Sequence, residues 1–230
     1  MKKKAKGFIV AIDGPSGAGK STVSRKLAEA LEGKLLDTGA MYRGVALYAI
    51  KEKLKDEASI SSLARRLEFD LDPESGSILV SGIDLGAKLR TEKVSAMASH
   101  VSQFREVRKV LTQRQRRLAR KWSRKFPIVV EGRDIGTIVF PNVRFKFFVT
   151  ADPMVRAERR YHQLKKAGVK GVRLKSILRQ NQDRDRQDST RKLAPLRVPQ
   201  DAVVVDTSTM AIPQVVQFMT NHIRLAPLSS

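Results

Sequence analysis

Hydrophobic residues in this chain gather in short, nearly continuous runs that are separated by longer stretches of mixed polarity. Five runs, at residues 8–12, 34–36, 128–130, 145–149 and 202–205, have the length and composition of β-strands. A strand with one face in water alternates apolar and polar positions, whereas a strand covered on both faces is apolar almost throughout. The runs therefore predict an α/β fold, with a five-stranded parallel sheet flanked by helices.

The stretches between the predicted strands carry helical periodicity. After the first strand and a glycine-rich loop, one apolar stripe is formed by Val23, Leu27, Ala28 and Leu31. A second helix is predicted over residues 39–56, where apolar residues recur among polar ones. Strands that alternate with helices in this way are typical of a doubly wound sheet.

Residues 66–93 interrupt this pattern. The segments EFDLD and SILVSGIDL alternate apolar and polar positions, and turn-forming residues occur at 73–76 and 81–82. The alternation predicts a small antiparallel module inserted into the α/β core. The core itself would then comprise residues 1–65 and 94–225.

The most specific signal follows the first predicted strand. GPSGAGKS, at residues 14–21, matches G-x-x-x-x-G-K-[ST] at every fixed position, with a strand before it and a helix after it. Glycines let successive backbone N–H groups turn toward phosphate oxygens, and the helix adds its positive N-terminal end. Lys20 would reach the β- and γ-phosphates, Ser21 would bind Mg²⁺, and Thr22 would contact the α-phosphate. The predicted ATP-binding residues are Gly14, Pro15, Ser16, Gly17, Ala18, Gly19, Lys20, Ser21 and Thr22.

Polar residues also follow the second and third predicted strands, at the carboxyl edge where parallel sheets bind ligands. Asp37 ends the second strand and Thr38 begins a helix, which an ordinary helix N-cap would equally explain. Glu131, Arg133 and Asp134 follow the third strand, and charges so close to a buried strand are costly unless they bind something. These positions indicate the acceptor side of a phosphate-transfer site.

A further polar set lies near the C-terminus. Arg184, Asp188 and Arg191 are spaced so that a helix would bring them onto one face. Two guanidinium groups beside a carboxylate suit a sugar phosphate, because Arg matches phosphate oxygens and Asp accepts from hydroxyls. A solvated ladder of salt bridges would use the same spacing, and for this segment in isolation it is the favoured interpretation.

Charge narrows the possible partners. The chain has 45 Lys and Arg against 23 Asp and Glu, a formal net charge of +22, which favours anionic partners such as nucleotides, phosphorylated metabolites or nucleic acid. It contains no Cys, which excludes a disulfide framework and thiolate metal sites. No apolar run reaches membrane-spanning length, and the one near the N-terminus is too short for a signal peptide. A cytoplasmic location is therefore predicted.

Eight motifs, in chain order, together resemble the bacterial cytidylate kinases, a family of P-loop nucleoside monophosphate kinases. They are IDGPSGAGKST, LLDTGAMYR, LRTEKVS, VRKVLTQRQR, EGRDIGTIVFP, ADPMVRAERR, DRQDSTRKLAPL and DAVVVDTS. The resemblance runs from about residue 8 to about residue 220. One departure is visible: most relatives have Asp where this chain has Glu131, a longer side chain with the same charge.

The resemblance implies roles for residues that follow the second and third strands. Thr38 would contact the acceptor nucleotide, and Arg43 would bind its phosphate. Arg108 would lie on the side of the base. Asp134 would face the cytosine amino group, and Arg133, directly before it, is also implied to bind the substrate.

The same resemblance implies roles for the C-terminal half. Arg184 and Arg191 would bind the acceptor phosphate, and Asp188 would bind the ribose or deoxyribose. The insert at 66–93 would close over the nucleoside monophosphate, and a short lid at about 153–173 would cover the transferred group. The implied catalytic residues are Lys20, Arg156, Arg159 and Arg160.

The activity that the resemblance implies is transfer of the γ-phosphoryl group of ATP to CMP or dCMP, with Mg²⁺, in pyrimidine nucleotide metabolism. ATP and CMP or dCMP would be the only required partners, with no membrane and no nucleic acid, and the chain is expected to be a monomer. No general base is expected, because the attacking phosphate oxygen is already ionised.

Two alternatives stay open at this point. The first is a kinase of the same fold that acts on another monophosphate or on a small hydroxylated acid. The second is a nucleic-acid-binding ATPase that uses its positive charge on a phosphate backbone. The basic segment at 108–125 would serve such a role, although a solvated helix face is the favoured interpretation and no recognised RNA- or DNA-binding module is present.

Overall fold

The computed structural model describes residues 7–72 and 74–226. The strands in this part of the chain are β1 (Ile9–Asp13), β2 (Lys34–Asp37), β3 (Phe69–Leu71), β4 (Ile78–Val80), β5 (Ile83–Asp84), β6 (Ile128–Glu131), β7 (Phe145–Thr150) and β8 (Val203–Asp206). The α-helices are α1 (Lys20–Ala30), α2 (Thr38–Lys51), α3 (Glu57–Arg66), α4 (Glu92–Val101), α5 (Arg105–Ser123), α6 (Pro153–Lys166), α7 (Leu174–Thr190) and α8 (Ile212–Leu225). A 3₁₀ turn at Gly86–Arg90 and a π-helical turn at Ile135–Val139 complete the regular structure of the described residues.

The predicted fold class is confirmed. Five parallel strands form one sheet in the order β2-β6-β1-β7-β8, and β3, β4 and β5 form a separate antiparallel sheet. All five apolar runs that predicted strands become members of the parallel sheet. Among the described residues, no helix combines the length and the apolar character needed to cross a membrane.

Residue contacts divide the described chain into two compact units. The first unit comprises residues 7–9 and 33–132, and the second comprises residues 10–32 and 133–226. The predicted division into a core (residues 1–65 and 94–225) and an insert (66–93) stays a prediction, and residues 1–6 and Pro73 lie outside the described residues.

The first unit contains the parallel pair β2 and β6, in which Leu36 lies opposite Val130. Every residue of β6 is buried, which explains its unbroken apolar character. The antiparallel sheet β3-β4-β5 belongs to this unit, as the alternating pattern predicted, with Phe69 opposite Val80. Gly44 of α2 packs beneath this sheet, because a Cβ there would lie 3.0 Å from Cγ2 of Val80.

Two helices of the first unit show how polar residues set helix boundaries. The helix that was predicted over 39–56 ends at Lys51, and α3 begins after Asp56, whose carboxylate accepts the N–H of Ser59 at 2.8 Å. Lys53, with φ of +57°, turns the chain between them. The predicted single helix was therefore too long at its C-terminal end, because Lys53 leaves the right-handed helical conformation and Asp56 caps a new helix.

The basic segment 108–125 forms most of α5 and is amphipathic. Its apolar side chains, including Val107, Leu111, Leu118 and Trp122, are buried, while its cations lie largely on the exposed side. The segment is thus helical, and burial of the apolar stripe holds the helix in the first unit. Its interpretation as a solvated face rather than a nucleic-acid-binding one stays a prediction.

The second unit is built on the parallel strands β1, β7 and β8, with Ile12 opposite Phe147 and Phe147 opposite Val203. Helix α1 packs against α8. Three of the four residues in the predicted stripe of α1 (Val23, Leu27 and Ala28) are buried, while Leu31 lies just past the end of the helix. This packing anchors the helix that follows the glycine-rich loop.

Candidate active site

The loop between β1 and α1 comprises residues 14–19, and we call it the phosphate loop. Its backbone has the shape that is typical of loops that bind phosphate. Gly14 has φ of +146° and Gly17 has φ of +76°, values that L side chains rarely adopt. A Cβ at Gly14 would lie 1.9 Å from the carbonyl oxygen of Val149, so any larger residue would force the loop away from β7. Helix α1 begins immediately after the loop, at Lys20, and directs its positive end toward it.

Lys20 is folded onto this loop. Its side chain is buried, with 4% exposure, and Nζ donates to the carbonyl oxygen of Pro15 at 2.6 Å. The predicted neighbours Ser21 and Thr22 lie exposed in the first turn of α1. The ammonium group of Lys20 thus lies against the glycine-rich loop, a combination of residues that is typical of polyphosphate-binding loops.

Side chains of α6 and α7 form hydrogen bonds with the backbone of this loop. Arg156 NH1 donates to the carbonyl oxygen of Ser16 at 2.9 Å and to Oδ2 of Asp185 at 2.5 Å. The other carboxylate oxygen of Asp185 accepts the N–H of Ser16 at 3.1 Å. Arg156 was predicted to act on the transferred group, and that role stays a prediction. Its contact with Ser16 is an additional finding.

Asp185 was not singled out from the sequence. It lies in the same RDRQDS run as Arg184 and Asp188, and the only signal available was a carboxylate next to a predicted site. Its partner Ser16 is 169 residues away in the chain, so no local pattern could identify the contact.

Asp13, the last residue of β1, is a second carboxylate that the sequence did not mark as functional, and unlike Asp185 it is fully buried. Its two oxygens accept the N–H groups of Ile135 at 2.8 Å and Gly136 at 2.7 Å. The pKa of Asp13 is raised from 3.8 to about 6. Burial is the largest cause and the charge of Asp134 adds to it, while the two hydrogen bonds and the charge of Lys20 oppose the shift. Asp13 thereby ties the segment that follows Asp134 to the base of the phosphate loop.

Four of the predicted substrate residues of the second unit form one cluster. Arg133 Nε donates to Oδ2 of Asp188 at 3.1 Å. Arg191 lies 3.7 Å from Oδ1 of Asp188 and 3.9 Å from Oδ1 of Asp134, and its Nε donates to the carbonyl oxygen of Ala194 at 2.6 Å. Two guanidinium groups and two carboxylates therefore lie within one small, largely buried region. We call this set the Arg–Asp cluster; its members are Arg133, Asp134, Asp188 and Arg191.

Helix α7 supplies most of this arrangement. It ends at Thr190, so that Asp188 lies in its last turn and Arg191 is its C-cap residue. Arg184, predicted from the same spacing, lies exposed on α7. The predicted helical face is thus formed for Asp188 and Arg191, which meet at 3.7 Å.

The first unit contains the remaining residues that were predicted to contact the acceptor nucleotide. Thr38 is buried and donates from Oγ1 to the carbonyl oxygen of Glu131 at 2.7 Å, which joins the carboxyl ends of β2 and β6. Asp37 caps α2 by accepting the N–H of Ala40 at 2.9 Å, and it also pairs with Arg43 at 2.8 Å. The N-cap explanation that was left open for this segment is therefore correct for Asp37.

Arg108, on α5, is also in the first unit and is almost fully buried. Its NH1 donates to the carbonyl oxygen of Ser102 at 3.0 Å, and its guanidinium lies 5.8 Å from the centre of the Tyr42 ring. Its predicted position beside the base of the acceptor nucleotide stays a prediction.

The other two arginines predicted for the lid lie on α6. Arg159 donates to Oγ1 of Thr207 at 3.0 Å and to its carbonyl oxygen at 2.5 Å, and Thr207 in turn donates to the carbonyl oxygen of Ala18 in the phosphate loop at 3.2 Å. Arg160 is exposed and donates to Gln163 at 3.1 Å. Only Arg160 of these two extends into solvent.

Comparison with known proteins decides among the kinases that share such a loop. The sequence model described as cytidylate kinase matches residues 10–225, nearly the whole chain. The chain belongs to the cytidylate kinase family. The resemblance that the motifs indicated is therefore confirmed, and family membership covers both the phosphate loop and the Arg–Asp cluster.

Curated members of the cytidylate kinase family align along almost their full lengths. The cytidylate kinase of Caldanaerobacter subterraneus subsp. tengcongensis is 42% identical over 217 residues, covering 94% of this chain and 94% of that protein. Cytidylate kinase 1 of Haemophilus influenzae is 40% identical over 226 residues, covering 96% of each chain. Among solved structures, an uncharacterized protein from Eubacterium ventriosum superposes with a TM-score of 0.52 at 14% identity, covering 95% of this chain and 99% of that one. That similarity supports the fold alone.

Proposed function

We propose that this chain transfers the γ-phosphoryl group of ATP to CMP or dCMP, giving ADP and CDP or dCDP. The observation that carries the proposal is membership of the cytidylate kinase family over residues 10–225. The formed phosphate loop supports the donor half, and the buried Arg–Asp cluster supports the acceptor half. We further propose that the chain acts in the cytoplasm as a monomer and requires no nucleic acid.

On the donor side, residues 14–22 would bind ATP. Lys20 donates to the carbonyl oxygen of Pro15 at 2.6 Å, within the loop that would hold the phosphates. A bound triphosphate would offer its ammonium group charged acceptors, which form shorter and stronger hydrogen bonds than a neutral carbonyl. Positive side chains would offset the negative charge that spreads over the transferred phosphoryl group. We propose this role for Lys20, Arg156, Arg159 and Arg160.

Ser21 is the residue that we expect to hold Mg²⁺. Its hydroxyl is an oxygen donor in the exposed first turn of α1, directly after Lys20, and oxygen donors are the ligands that Mg²⁺ prefers. Bound with ATP, the ion would supply neutralisation of the phosphate charge.

On the acceptor side, Arg43, Arg184 and Arg191 would bind the phosphate of CMP, and Asp188 would accept from the sugar hydroxyl. Asp134 would accept from the 4-amino group of cytosine, as carboxylates do in other cytosine contacts. Uracil presents a carbonyl oxygen at that position, which a carboxylate repels. This difference predicts a preference for CMP and dCMP over UMP.

The remaining acceptor residues would position the nucleotide. Thr38 and Arg108 would contact it from α2 and α5, and Arg133 would keep Asp188 oriented through their 3.1 Å hydrogen bond. Closure of the segments at 66–93 and about 153–173 would exclude water, which would otherwise accept the phosphoryl group.

An acceptor screen tests the proposal directly. ADP release from ATP and Mg²⁺ is measured with CMP, dCMP, UMP and AMP in turn, and without any acceptor. We expect rapid turnover with CMP and dCMP, slower turnover with UMP and AMP, and little ATP hydrolysis alone. Faster turnover with UMP or AMP, or ATP hydrolysis that depends on RNA and not on CMP, would refute the proposal.

A further inference from the structure

Two side chains that are distant in the sequence, Arg156 and Asp185, form hydrogen bonds with one residue of the phosphate loop, Ser16. Asp185 accepts the backbone N–H of Ser16 at 3.1 Å, and Arg156 donates to the backbone carbonyl oxygen of the same residue at 2.9 Å. Both polar groups of one peptide residue are therefore used by side chains rather than by the loop itself. Such a double contact fixes the orientation of that residue within the loop.

Arg156 and Asp185 also form a hydrogen-bonded ion pair with each other. Arg156 NH1 donates to Oδ2 of Asp185 at 2.5 Å, and Arg156 Nε donates to the carbonyl oxygen of Ala151 at 2.9 Å. The Arg156 side chain is 6% exposed and the Asp185 side chain 21% exposed. Because Ala151 directly follows β7, the guanidinium group links the loop, the strand end and helix α7 through one rigid plane.

Helix α7 presents a continuous surface to the back of the loop. Asn181 and Asp185 are four residues apart and therefore lie on one helical face. A Cβ added at Gly17 would lie 3.3 Å from Cβ of Arg156 and 3.6 Å from Nδ2 of Asn181. The loop thus rests directly on this face, and its next helical turn carries Asp188 of the Arg–Asp cluster.

We infer that Asp185 is a positioning residue for phosphoryl transfer: through the Ser16 N–H and through Arg156 it holds the phosphate loop in the shape that receives ATP. The inference rests on the proposed function only in taking the loop as the ATP site. Removal of the Asp185 carboxylate leaves the Arg156 guanidinium buried without its anion and frees Ser16 to rotate. The defect would fall on the donor nucleotide, because Asp185 is not part of the Arg–Asp cluster.

The test compares Asp185→Asn with the wild type, using Asp183→Asn as the matched control. Asp183 is an exposed aspartate on the same helix, so its substitution removes the same charge without touching the loop. We expect Asp185→Asn to raise the dissociation constant for ADP with Mg²⁺ about 10-fold and to lower kcat/KM for ATP about 100-fold, the scale of a small misplacement at a reacting centre. KM for CMP should stay within about 2-fold of the wild type, since the acceptor contacts are unchanged. Asp183→Asn should match the wild type in all three quantities.

Asp185→Glu keeps the charge and serves as the second variant, in case Asp185→Asn does not fold. It should recover part of the ADP affinity, because a longer carboxylate can still reach Arg156 but not Ser16 in the same geometry. Equal increases in KM for ATP and CMP, or a lower melting temperature with unchanged kinetics and ADP binding, would overturn the inference. A wild type that binds ADP but shows no CMP-dependent turnover would refute the proposed function and leave the ADP-binding test of Asp185 valid.

Discussion

Asp13 and Lys20 stand at the two ends of the phosphate loop, and both are buried, with 1% and 4% exposure. The attraction of Lys20 lowers the pKa of Asp13, but burial has the larger effect, and the balance leaves that pKa at about 6. Buried charges of this kind are costly to maintain unless they serve a purpose. At this loop, Lys20 is proposed to bind phosphate, and Asp13 anchors the segment of Ile135 and Gly136 through two hydrogen bonds.

The first prediction concerns Lys20. Replacement by Ala should cost at least about 3 kcal/mol of transition-state stabilisation, seen as a fall of about 100-fold or more in kcat/KM, because a preorganised charge at the transferred group is lost. Steady-state kinetics with ATP and CMP measure this effect. Lys26→Ala, which removes an exposed cation from the same helix, is the control and should be close to wild type. Near-normal turnover by Lys20→Ala would contradict the assigned role.

The second prediction concerns Asp13 and pH. An acid whose pKa is raised by folding binds its proton more tightly in the folded state, so its contribution to stability is greatest below about pH 4 and is lost as pH rises through about 6. Relative to Asp13→Asn, the wild type should therefore lose up to about 3 kcal/mol in the free energy of unfolding between those limits. Denaturant unfolding across this pH range measures the difference.

Asp56 supplies the control for this pH experiment. The N–H of Ser59 lowers the pKa of this exposed N-cap residue, so its contribution to stability is lost only as pH falls below about 4. The difference between wild type and Asp56→Asn should consequently be flat from pH 5 to pH 7. A wild type and Asp13→Asn pair that is equally flat over that range would contradict the role of burial at Asp13.

At the scale of elements, α7 carries two sets of contacts on one helix. Asp185, in its middle, contacts the phosphate loop, and Asp188, one turn later, contacts Arg133 and Arg191. A helix is stiff over so short a distance, so the spacing between the loop support and the acceptor cluster is set by the helical rise of 1.5 Å per residue. Under the proposed function, this one helix would align the donor and the acceptor nucleotide.

The third prediction separates these two sets. Asp188→Asn should raise KM for CMP about 10-fold or more and change KM for ATP little, because a charge-assisted contact to the ribose is lost. Initial rates with each substrate varied in turn measure the effect, and Asp183→Asn on the same helix is again the control. If KM for ATP rises as much as KM for CMP, Asp188 acts on the loop and not on the acceptor.

Elements also show where local pattern has limits. The strand runs and the stripe of α1 were predicted correctly, because the burial of each residue follows from its own polarity and spacing. The helix predicted over 39–56 was too long, because the end at Lys51 depends on a turn and on the Asp56 cap that follows. Periodicity indicates where a helix can exist, whereas its end depends on specific hydrogen bonds.

For the whole molecule, the net charge of +22 is the dominant electrostatic fact. Both proposed substrates are anions, so long-range attraction should assist their capture at low ionic strength. The fourth prediction is that KM for ATP and for CMP rises about 3- to 10-fold between about 20 mM and about 300 mM KCl, as the charges are screened. Initial-rate kinetics in the two buffers measure the change.

The turnover number is the internal control for this salt experiment. Contacts inside a closed site are screened far less than charges on the surface, so kcat should change little over the same range. Values of KM that do not respond to salt would show that the positive surface plays no part in substrate capture. A parallel fall in kcat would show instead that salt weakens the site itself.

The family and the fold class were within reach of the sequence, for a physical reason. The phosphate loop is one contiguous segment whose glycines, lysine and flanking elements are neighbours in the chain, so its conformation is a local property. The apolar strands and the amphipathic α5 likewise follow from the pattern of hydrophobic and polar residues along the chain. Roles for Thr38, Arg108 and the lid arginines came only from resemblance and stay predictions.

Tertiary structure decided which side chains meet across long stretches of sequence. Asp185 and Ser16 are 169 residues apart, and Asp13 and Gly136 are 123 apart, so nothing in either local pattern predicts the contacts. They arise because strand order and helix packing bring distant segments to the same place, which depends on the burial of the whole core. The sequence alone predicted a phosphate loop of the P-loop type, and only the folded chain brought Asp185 to Ser16 and Asp13 to Ile135 and Gly136.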